Sequence, residues 1–207
     1  MDVSRLFAAL DEHGVAYVLV GALGAVAHGA RVPTRDVDLC PALDAENLHR
    51  LAAVLRAFQA RLLRVPARGV HAIDLTDVAT LRLDDPTEHH LFATSVGDVD
   101  VLPRPLGPGG WGTSVTYEDL RPRAALVLAF GRIVPVAAIS DIVASKRAAG
   151  RPQDHAAEAE LARVATLLAR GSAPAYGLEQ FVHEQSGAPA RAQQAQAPPT
   201  DGRTPDP

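Results

Sequence analysis

Two pairs of aspartates in this chain have the spacing that could hold a divalent cation. Asp36 and Asp38 are separated by one apolar residue, and Asp98 and Asp100 repeat the pattern later in the sequence. On a β-strand, residues i and i+2 point to the same side, so each pair presents two carboxylates together. Such like charges repel unless they share a cation, and hard oxygen ligands suit Mg²⁺. A chain of this composition holds about one such pair by chance, so the pair needs a structural context.

The segment before Asp36 supplies that context. An apolar run, Val15–Val20, has the character of a buried strand and ends at Gly21 and Ala22, where a short helix of small residues begins. The free backbone N–H groups at the start of a helix entered through glycine can bind phosphate. The chain then returns as the strand of Asp36 and Asp38. We therefore expect a phosphate-binding turn beside a carboxylate pair, as phosphoryl or nucleotidyl transfer requires.

This combination resembles a known signature. Gly21-Ala22 followed by Asp36-Val-Asp38-Leu is similar to the apolar-Gly-Gly/Ser and Asp-apolar-Asp/Glu-apolar motifs of the DNA polymerase β-like nucleotidyltransferase superfamily. With Arg35 just before the first aspartate, the stretch most resembles small bacterial members related to the AbiEii toxin group. Ala22 replaces the usual Gly or Ser, which removes a side-chain contact. The resemblance extends over about residues 15–170.

A second match lies in the C-terminal half. The segment Ala144–Asp154 is similar to a lysine-containing helix and the turn that follows it in those proteins. The resemblance implies that Lys146 neutralises triphosphate charge and that Asp154 supports this lysine or the acceptor. Gln153 stands where relatives often carry Lys, and Ala157 stands where a second Asp is common. These departures affect this half of the site more than the aspartate pair.

The resemblance implies a nucleotidyltransferase that moves a nucleoside monophosphate from an NTP to a hydroxyl acceptor. Asp36, Asp38 and Asp100 would hold two Mg²⁺ ions, with Mn²⁺ as an alternative, and Asp100 would help to activate the attacking hydroxyl. Gly21, Ala22 and Arg35 would join Lys146 and Asp154 in binding the nucleotide.

The acceptor is left open among RNA, protein and small molecules, because one fold serves many acceptors. Some relatives belong to toxin–antitoxin pairs, so a toxin role and an antitoxin partner are also implied. The departures at Gln153 and Ala157 keep a second hypothesis open: a nucleotide-binding or partner-binding protein of the same fold with weakened catalysis.

The remaining pattern predicts the elements that position these residues. The order of elements predicts an α+β fold, in which helices flank a mixed β-sheet. We expect a nucleotidyltransferase core over 1–137, C-terminal helices packed on it over 138–172, and a largely disordered tail over 173–207. Helices are predicted at 2–13, 22–28, 44–60, 76–83, 141–149 and 152–170, and strands at 15–20, 36–40, 90–95, 98–102, 124–130 and 133–137. The predicted markers are N-caps at Asp44 and Ser140, a turn at Gly131-Arg132 and a helix end at Gly150.

Composition sets further limits. Hydrophobic residues make up 47% of the chain and aromatic residues only 4%, so the core must consist mainly of Ala, Val and Leu. The net charge of −4 disfavours non-specific binding to long nucleic acids. Cys40 is the single cysteine, which excludes an internal disulfide. With neither a signal-peptide pattern nor an apolar run long enough for a membrane span, a cytoplasmic protein without membrane contact is expected.

Several other residues have an ordinary structural interpretation. His28 is expected to pack, and Cys40 to fill space in the core. Because neighbouring residues of a strand face opposite sides, His89 and His90 are not expected to share a zinc ion. Trp111, in a loop rich in Pro and Gly, is left open between a stacking platform and an anchor for the loop. A hairpin turn remains an alternative for Asp98 and Asp100.

Overall fold

A computed structural model of the chain describes residues 1–64, 71–73, 89–108, 113–172 and 174–187. Within these ranges, helices and strands alternate irregularly along the chain. The helices are α1 Val3–Glu12, α2 Gly21–Ala27, α3 Ala45–Ala57, α4 Tyr117–Leu120, α5 Ile139–Ala149, α6 Pro152–Ala169 and α7 Leu178–Gly187. The strands are β1 Tyr17–Leu19, β2 Asp36–Pro41, β3 Arg61–Arg64, β4 His71–Ile73, β5 His90–Thr94, β6 Gly97–Val101, β7 Ala125–Ala129 and β8 Arg132–Val136.

The described strands form one mixed sheet in the order β4-β3-β5-β6-β2-β1-β8-β7. Two neighbouring pairs, β2 with β6 and β1 with β8, are parallel, whereas the other pairs are antiparallel. The sheet therefore has β2 and β6 near its centre, with β1 on the other side of β2. The predicted α+β fold, a mixed sheet flanked by helices, is confirmed.

The core consists of the aliphatic residues that the composition requires. In β2, Val37 and Leu39 are buried while Asp36 and Asp38 keep partial exposure, which is the expected alternation. Burying a Val, Leu or Phe side chain contributes about 1.5–3 kcal/mol, so a stripe of such residues fixes a helix firmly on the sheet. The amphipathic spacing predicted for α1 forms such a stripe, consisting of the buried residues Val3, Leu6, Phe7 and Leu10.

Two predicted helix boundaries are confirmed. Asp44 is the N-cap of α3, and its side chain accepts a hydrogen bond from the N–H of Asn47 at 2.9 Å. The buried Asn47 amide then binds both backbone groups of Ala16, at 2.7 and 2.8 Å, which fastens α3 beside β1. Gly150 ends α5 in the left-handed conformation, with φ of 60°.

Two other local predictions are wrong. Ser140 is not the N-cap of α5, because the helix begins one residue earlier, at Ile139, with Ala138 in the cap position and no side-chain cap. The β7–β8 turn consists of Phe130 and Gly131, and Arg132 already belongs to β8. A non-glycine residue with positive φ is uncommon, which explains why Phe130, at φ 53°, was not predicted in the turn.

The tail and the middle segment also differ from expectation. Within the tail that was predicted to be largely disordered, the structure describes α7, where Leu178 and Phe181 are buried against the core, while residues 188–207 lie outside the described residues. β3 and β4 were not predicted, and the helix expected at 76–83 lies outside the described residues. Within the described ranges, every helix is too short or too polar to cross a membrane.

Candidate active site

The sheet brings the two aspartate pairs together. β2 and β6 are parallel, and their register places Asp36 opposite Asp98 and Asp38 opposite Asp100. Neighbouring strands lie about 4.8 Å apart, and paired residues point to the same face. Asp36, Asp38 and Asp100 line a cleft on this face, whereas Asp98 is exposed and outside the cleft lining. The structure therefore brings together the three aspartates that were predicted as metal ligands.

The predicted phosphate-binding turn lies on the other side of β2. After β1, the N–H of Val20 donates to the backbone carbonyl of Asp38 at 3.0 Å, and α2 starts at Gly21. Gly21 has φ of +64°, and a Cβ atom there would overlap the Asp38 carboxylate. Only glycine allows this approach. Asp38 also accepts a hydrogen bond from the backbone N–H of Ala22, so the carboxylate pair and the start of α2 are in direct contact.

Burial and mutual repulsion disfavour the charged form of these carboxylates and so raise their pKa values. Burial, followed by the charge of Asp36, raises the pKa of Asp38 from 3.8 to about 6. Burial, followed by the charges of Asp38 and Asp36, raises the pKa of Asp100 from 3.8 to about 7. A bound cation would relieve both effects, since it compensates for lost hydration and separates like charges.

These donors suit Mg²⁺ that arrives with a nucleotide better than a cage made of protein alone. In the part of the chain that the structure describes, no three His, Cys, Asp or Glu side chains stand ready to enclose a metal ion. Asp36 accepts a hydrogen bond from Thr34 Oγ1 at 2.8 Å, and Asp38 accepts one from the backbone N–H of Ala22. Mg²⁺ typically uses one or two carboxylates together with substrate phosphates, which fits this donor set.

Lys146 on α5, Arg151 at the N-cap of α6 and Asp154 in the first turn of α6 form an ion-pair cluster in the same cleft. Asp154 is almost fully buried; Lys146 Nζ lies 3.0 Å from its Oδ1 and Arg151 Nε lies 2.9 Å from its Oδ2. Burial alone would raise the pKa of Asp154, but hydrogen bonds from Arg151 and Lys146 outweigh it and hold this pKa below its ordinary value. The predicted link between Asp154 and Lys146 is thus present as an ion pair.

One cleft of about 560 Å³ contains the whole set. Its volume lies within the range of small-molecule sites. The residues predicted from sequence that line it are Gly21, Ala22, Arg35, Asp36, Asp38, Asp100, Lys146 and Asp154. Gln153 and Ala157 line it as well, so both departures from the family pattern face the site. The structure brings the predicted residues together, while their chemical roles stay predictions.

His89 and Arg151 are two of the cleft residues that sequence reasoning missed. His89 was considered only for zinc, yet it lines the cleft, and burial, followed by the charge of Arg151, lowers its pKa. Arg151 also lines the cleft. One signal could have identified His89: it precedes β5 on the same strand face as Leu91, which pairs with Asp100.

Three residues have the structural character that was expected. His28 is buried, with Nε2 at 2.8 Å from the carbonyl oxygen of Ala137. Burial raises the pKa of the Cys40 thiol to about 12, which suits a filler of the core rather than a nucleophile. His90 is buried while His89 lines the cleft, so the two face opposite sides. Trp111 lies outside the described residues.

No protein-family model and no curated protein sequence matches the chain. Solved structures do match in fold. The lincosamide antibiotic adenylyltransferase LnuA, bound to lincomycin, has a TM-score of 0.52 at 13% identity, covering 79% of this chain and 96% of that chain. ANT(2″)-Ia, in complex with adenylyl-2″-tobramycin, has a TM-score of 0.48 at 18% identity, covering 79% of this chain and 84% of the other. Together with the sheet order, the likeness to LnuA shows that this chain has the nucleotidyltransferase fold.

Proposed function

We propose that this chain is a Mg²⁺-dependent nucleotidyltransferase that moves an NMP from an NTP to a hydroxyl group. One observation carries the proposal. The parallel register of β2 and β6 puts Asp38 beside Asp100, and the same cleft contains the start of α2 and Lys146. Carboxylates for a metal, N–H groups for phosphates and a cation for the leaving group are the parts that phosphoryl-group chemistry needs.

The nucleotide would bind with its phosphates over the start of α2. Backbone N–H groups at Gly21 and Ala22 would donate to phosphate oxygens, and Arg35 and Lys146 would add positive charge. Asp38, which accepts from Ala22 in this structure, would release that N–H to the phosphate. Asp154 would hold the Lys146 ammonium in place through their ion pair.

In the transfer, the acceptor oxygen bonds to the α-phosphorus while the bond from that phosphorus to the bridging oxygen breaks. Pyrophosphate would leave with the electron pair, and the hydroxyl proton would pass to a carboxylate, a role that we propose for Asp100 because it lines the cleft. Mg²⁺ on Asp36, Asp38 and Asp100 would neutralise charge on the phosphates. Positioning by the chain and this charge compensation account for most of the rate enhancement in such transfers.

For the acceptor, we propose a small molecule. A cleft of about 560 Å³ suits a compact acceptor, and the fold neighbour LnuA is a lincosamide antibiotic adenylyltransferase. The toxin role and the antitoxin partner implied by the resemblance to the AbiEii group remain expectations. Affinity capture with the full chain would test them. A stable complex with one protein, formed without Mg²⁺ or NTP, would favour the partner-binding hypothesis.

The test is label transfer from each α-³²P-NTP with purified full-length chain and Mg²⁺. Acceptor probes would be lincomycin, tobramycin, total RNA and a protein extract. The proposal expects one labelled product, released pyrophosphate, and a loss of at least about 10³-fold in rate for Asp38→Asn. Asp98→Asn is the matched control, because Asp98 lies on the same strand pair but outside the cleft.

Wild-type transferase activity in Asp38→Asn would contradict the proposed mechanism. NTP binding without turnover on any acceptor would support the second hypothesis, a nucleotide-binding protein that has lost catalysis. In that case the departures at Gln153 and Ala157, both in the cleft, become the first positions to examine.

A further inference from the structure

The cleft has two sides, which the strand order separates. Across the sheet, His89 precedes β5, Asp100 lies on β6, Asp38 lies on β2, and Gly21 follows β1. The carboxylates are therefore in the middle, with the phosphate-binding turn on the β1 side. His89 and the segment after β6 lie on the opposite side.

Transfer chemistry assigns a role to that opposite side. In a nucleotidyl transfer, the attacking and leaving oxygens lie roughly in line through the phosphorus. If the pyrophosphate rests over the start of α2, the acceptor must approach from the β5–β6 side. This step rests on the function proposed above. The acceptor surface then contains His89, Leu102, Pro105 and Leu106, all of which line the cleft.

This acceptor surface is a built apolar wall. Leu102 follows Asp100 by two residues and so points to the same face. Pro105 and Leu106 belong to a small ribbon that is closed by two backbone bonds, from Gly107 N–H to the Thr113 oxygen and from Val115 N–H to the Pro105 oxygen, both 3.0 Å. These bonds hold the wall in place before any acceptor binds.

The cleft beside this acceptor surface has few carboxylates that could bind the ammonium groups of a polycation. Among the described cleft residues, the carboxylates beyond the three proposed metal ligands are Asp141 and Asp154. Each is already paired: Asp141 Oδ2 lies 2.7 Å from Arg123 Nε, and Asp154 binds Lys146 and Arg151. Arg151 lines the same cleft, and together with Lys146 it surrounds the single carboxylate of Asp154, so this part of the cleft carries a net positive charge.

We propose that the acceptor is a hydroxylated small molecule with an apolar face and at most one positive charge, bound against Leu102, Pro105 and Leu106. When an apolar face of the acceptor packs against this surface, both are removed from water, which favours binding. A molecule with several ammonium groups would lose hydration without gaining free carboxylates, and it would be repelled by Arg151.

The test is isothermal titration calorimetry on the full chain, with Mg²⁺ and a non-hydrolysable NTP analogue present. The probes are lincomycin, which carries an alkyl chain and a single amine, and tobramycin, which carries several amines. The proposal expects lincomycin to bind at least about tenfold tighter than tobramycin, a difference of about 1.4 kcal/mol. Leu106→Asp should weaken lincomycin about tenfold or more and leave the Kd of the NTP analogue unchanged.

Two further variants serve as controls for Leu106→Asp. Leu126→Asp places the same charge on the β7 hairpin, at a side chain that is 60% exposed and outside the cleft, and it should change neither Kd. Leu106→Ala, which keeps the ribbon uncharged, should weaken lincomycin by a smaller factor if Leu106→Asp does not fold. Tighter binding of tobramycin, no binding of lincomycin while the NTP analogue binds, or an unchanged lincomycin Kd in both Leu106 variants would overturn the proposal. Failure of the NTP analogue to bind would instead overturn the proposed function.

Discussion

The cleft has a strand wall, which contains Asp38 and Asp100, and a helical wall, which contains Asp154. The electrostatic surroundings of the aspartates on these two walls are opposite. On the sheet, Asp38 and Asp100 are partly buried beside other carboxylates, and their pKa values rise to about 6 and about 7. On the helices, Asp154 is buried, but it lies between Lys146 and Arg151, and its pKa falls. Carboxylates whose environments push their pKa values apart have different tasks.

The difference indicates which wall lacks a partner. On the helical wall, Asp154 has its counter-ions Lys146 and Arg151 within the chain, so this carboxylate needs no ligand to compensate its charge. The strand wall carries excess negative charge that the described protein groups do not neutralise, and a cation brought by a nucleotide would complete it. Four experiments test this difference between the two walls.

The largest effect is expected on the helical wall. Asp154→Ala removes the acceptor of the largely buried Lys146, whose side chain is 13% exposed, so the free energy of unfolding should fall by about 3 kcal/mol. Urea denaturation measures it. Glu158→Ala is the control, since its pair with Arg147 is 2.8 Å long but exposed on both sides and should cost less than about 1 kcal/mol. Equal losses in the two variants would contradict the comparison.

On the strand wall, the expected pH dependence has the opposite sign to that of an ordinary aspartate. The raised pKa values mean that the folded protein holds protons which the unfolded chain releases above pH 3.8, so stability is lost as the pH rises towards 7. Without metal, Asp38→Asn should be more stable than the wild type by about 2 kcal/mol at pH 8, and the gap should shrink at pH 5. Denaturation in EDTA at both pH values measures it.

Asp98→Asn serves as the control for this experiment, because its carboxylate lies opposite Asp36 on the same strands but is exposed. It should show no such gap at either pH. A wild-type protein that gains stability relative to Asp38→Asn between pH 5 and pH 8 would show that the strand wall is not under repulsion.

A smaller effect is expected where the two strands meet α2. Gly21→Ala introduces a Cβ that overlaps the Asp38 carboxylate at a positive φ, and should cost about 1–2 kcal/mol and weaken NTP binding. Gly131→Ala is matched, because its φ is +71° and a Cβ there meets only open space. The difference in stability between the variants isolates the clash. If both bind NTP like the wild type, the phosphate-binding turn is not at α2.

The smallest effect concerns Mg²⁺ alone. Because no three described acidic or metal-binding side chains stand ready around a common point, about 10 mM Mg²⁺ should stabilise the protein by less than about 1 kcal/mol, or a few °C in thermal unfolding. An NTP analogue added together with Mg²⁺ should raise the unfolding temperature by much more than either ligand does alone. Asp38→Asn should abolish this additional increase. A large shift with Mg²⁺ alone would indicate a preformed metal cage.

Much of the framework could be predicted because its signals are local. The stripe of Val3, Leu6, Phe7 and Leu10 predicts α1, and the cap at Asp44 predicts the start of α3. By contrast, β3 lacks β-branched residues: its sequence, Arg-Leu-Leu-Arg, becomes a strand only because it pairs with β4 and β5. α7, which was likewise not predicted, packs on the core through the buried Leu178 and Phe181.

The sequence was sufficient to indicate which residues could do chemistry: the Asp-x-Asp spacing on a strand, the glycine at the start of α2 and, through the family resemblance, the lysine segment before Asp154. These are properties of neighbours along the chain, governed by strand alternation, caps and backbone freedom. The resemblance already favoured Asp100 over Asp98, but the tertiary fold was needed to show that Asp100 lies beside Asp38 in the cleft, and that His89, Leu102 and Arg151 belong to the same site. The reason is physical: register between strands about 60 residues apart depends on the packing of the whole sheet, which no local pattern encodes.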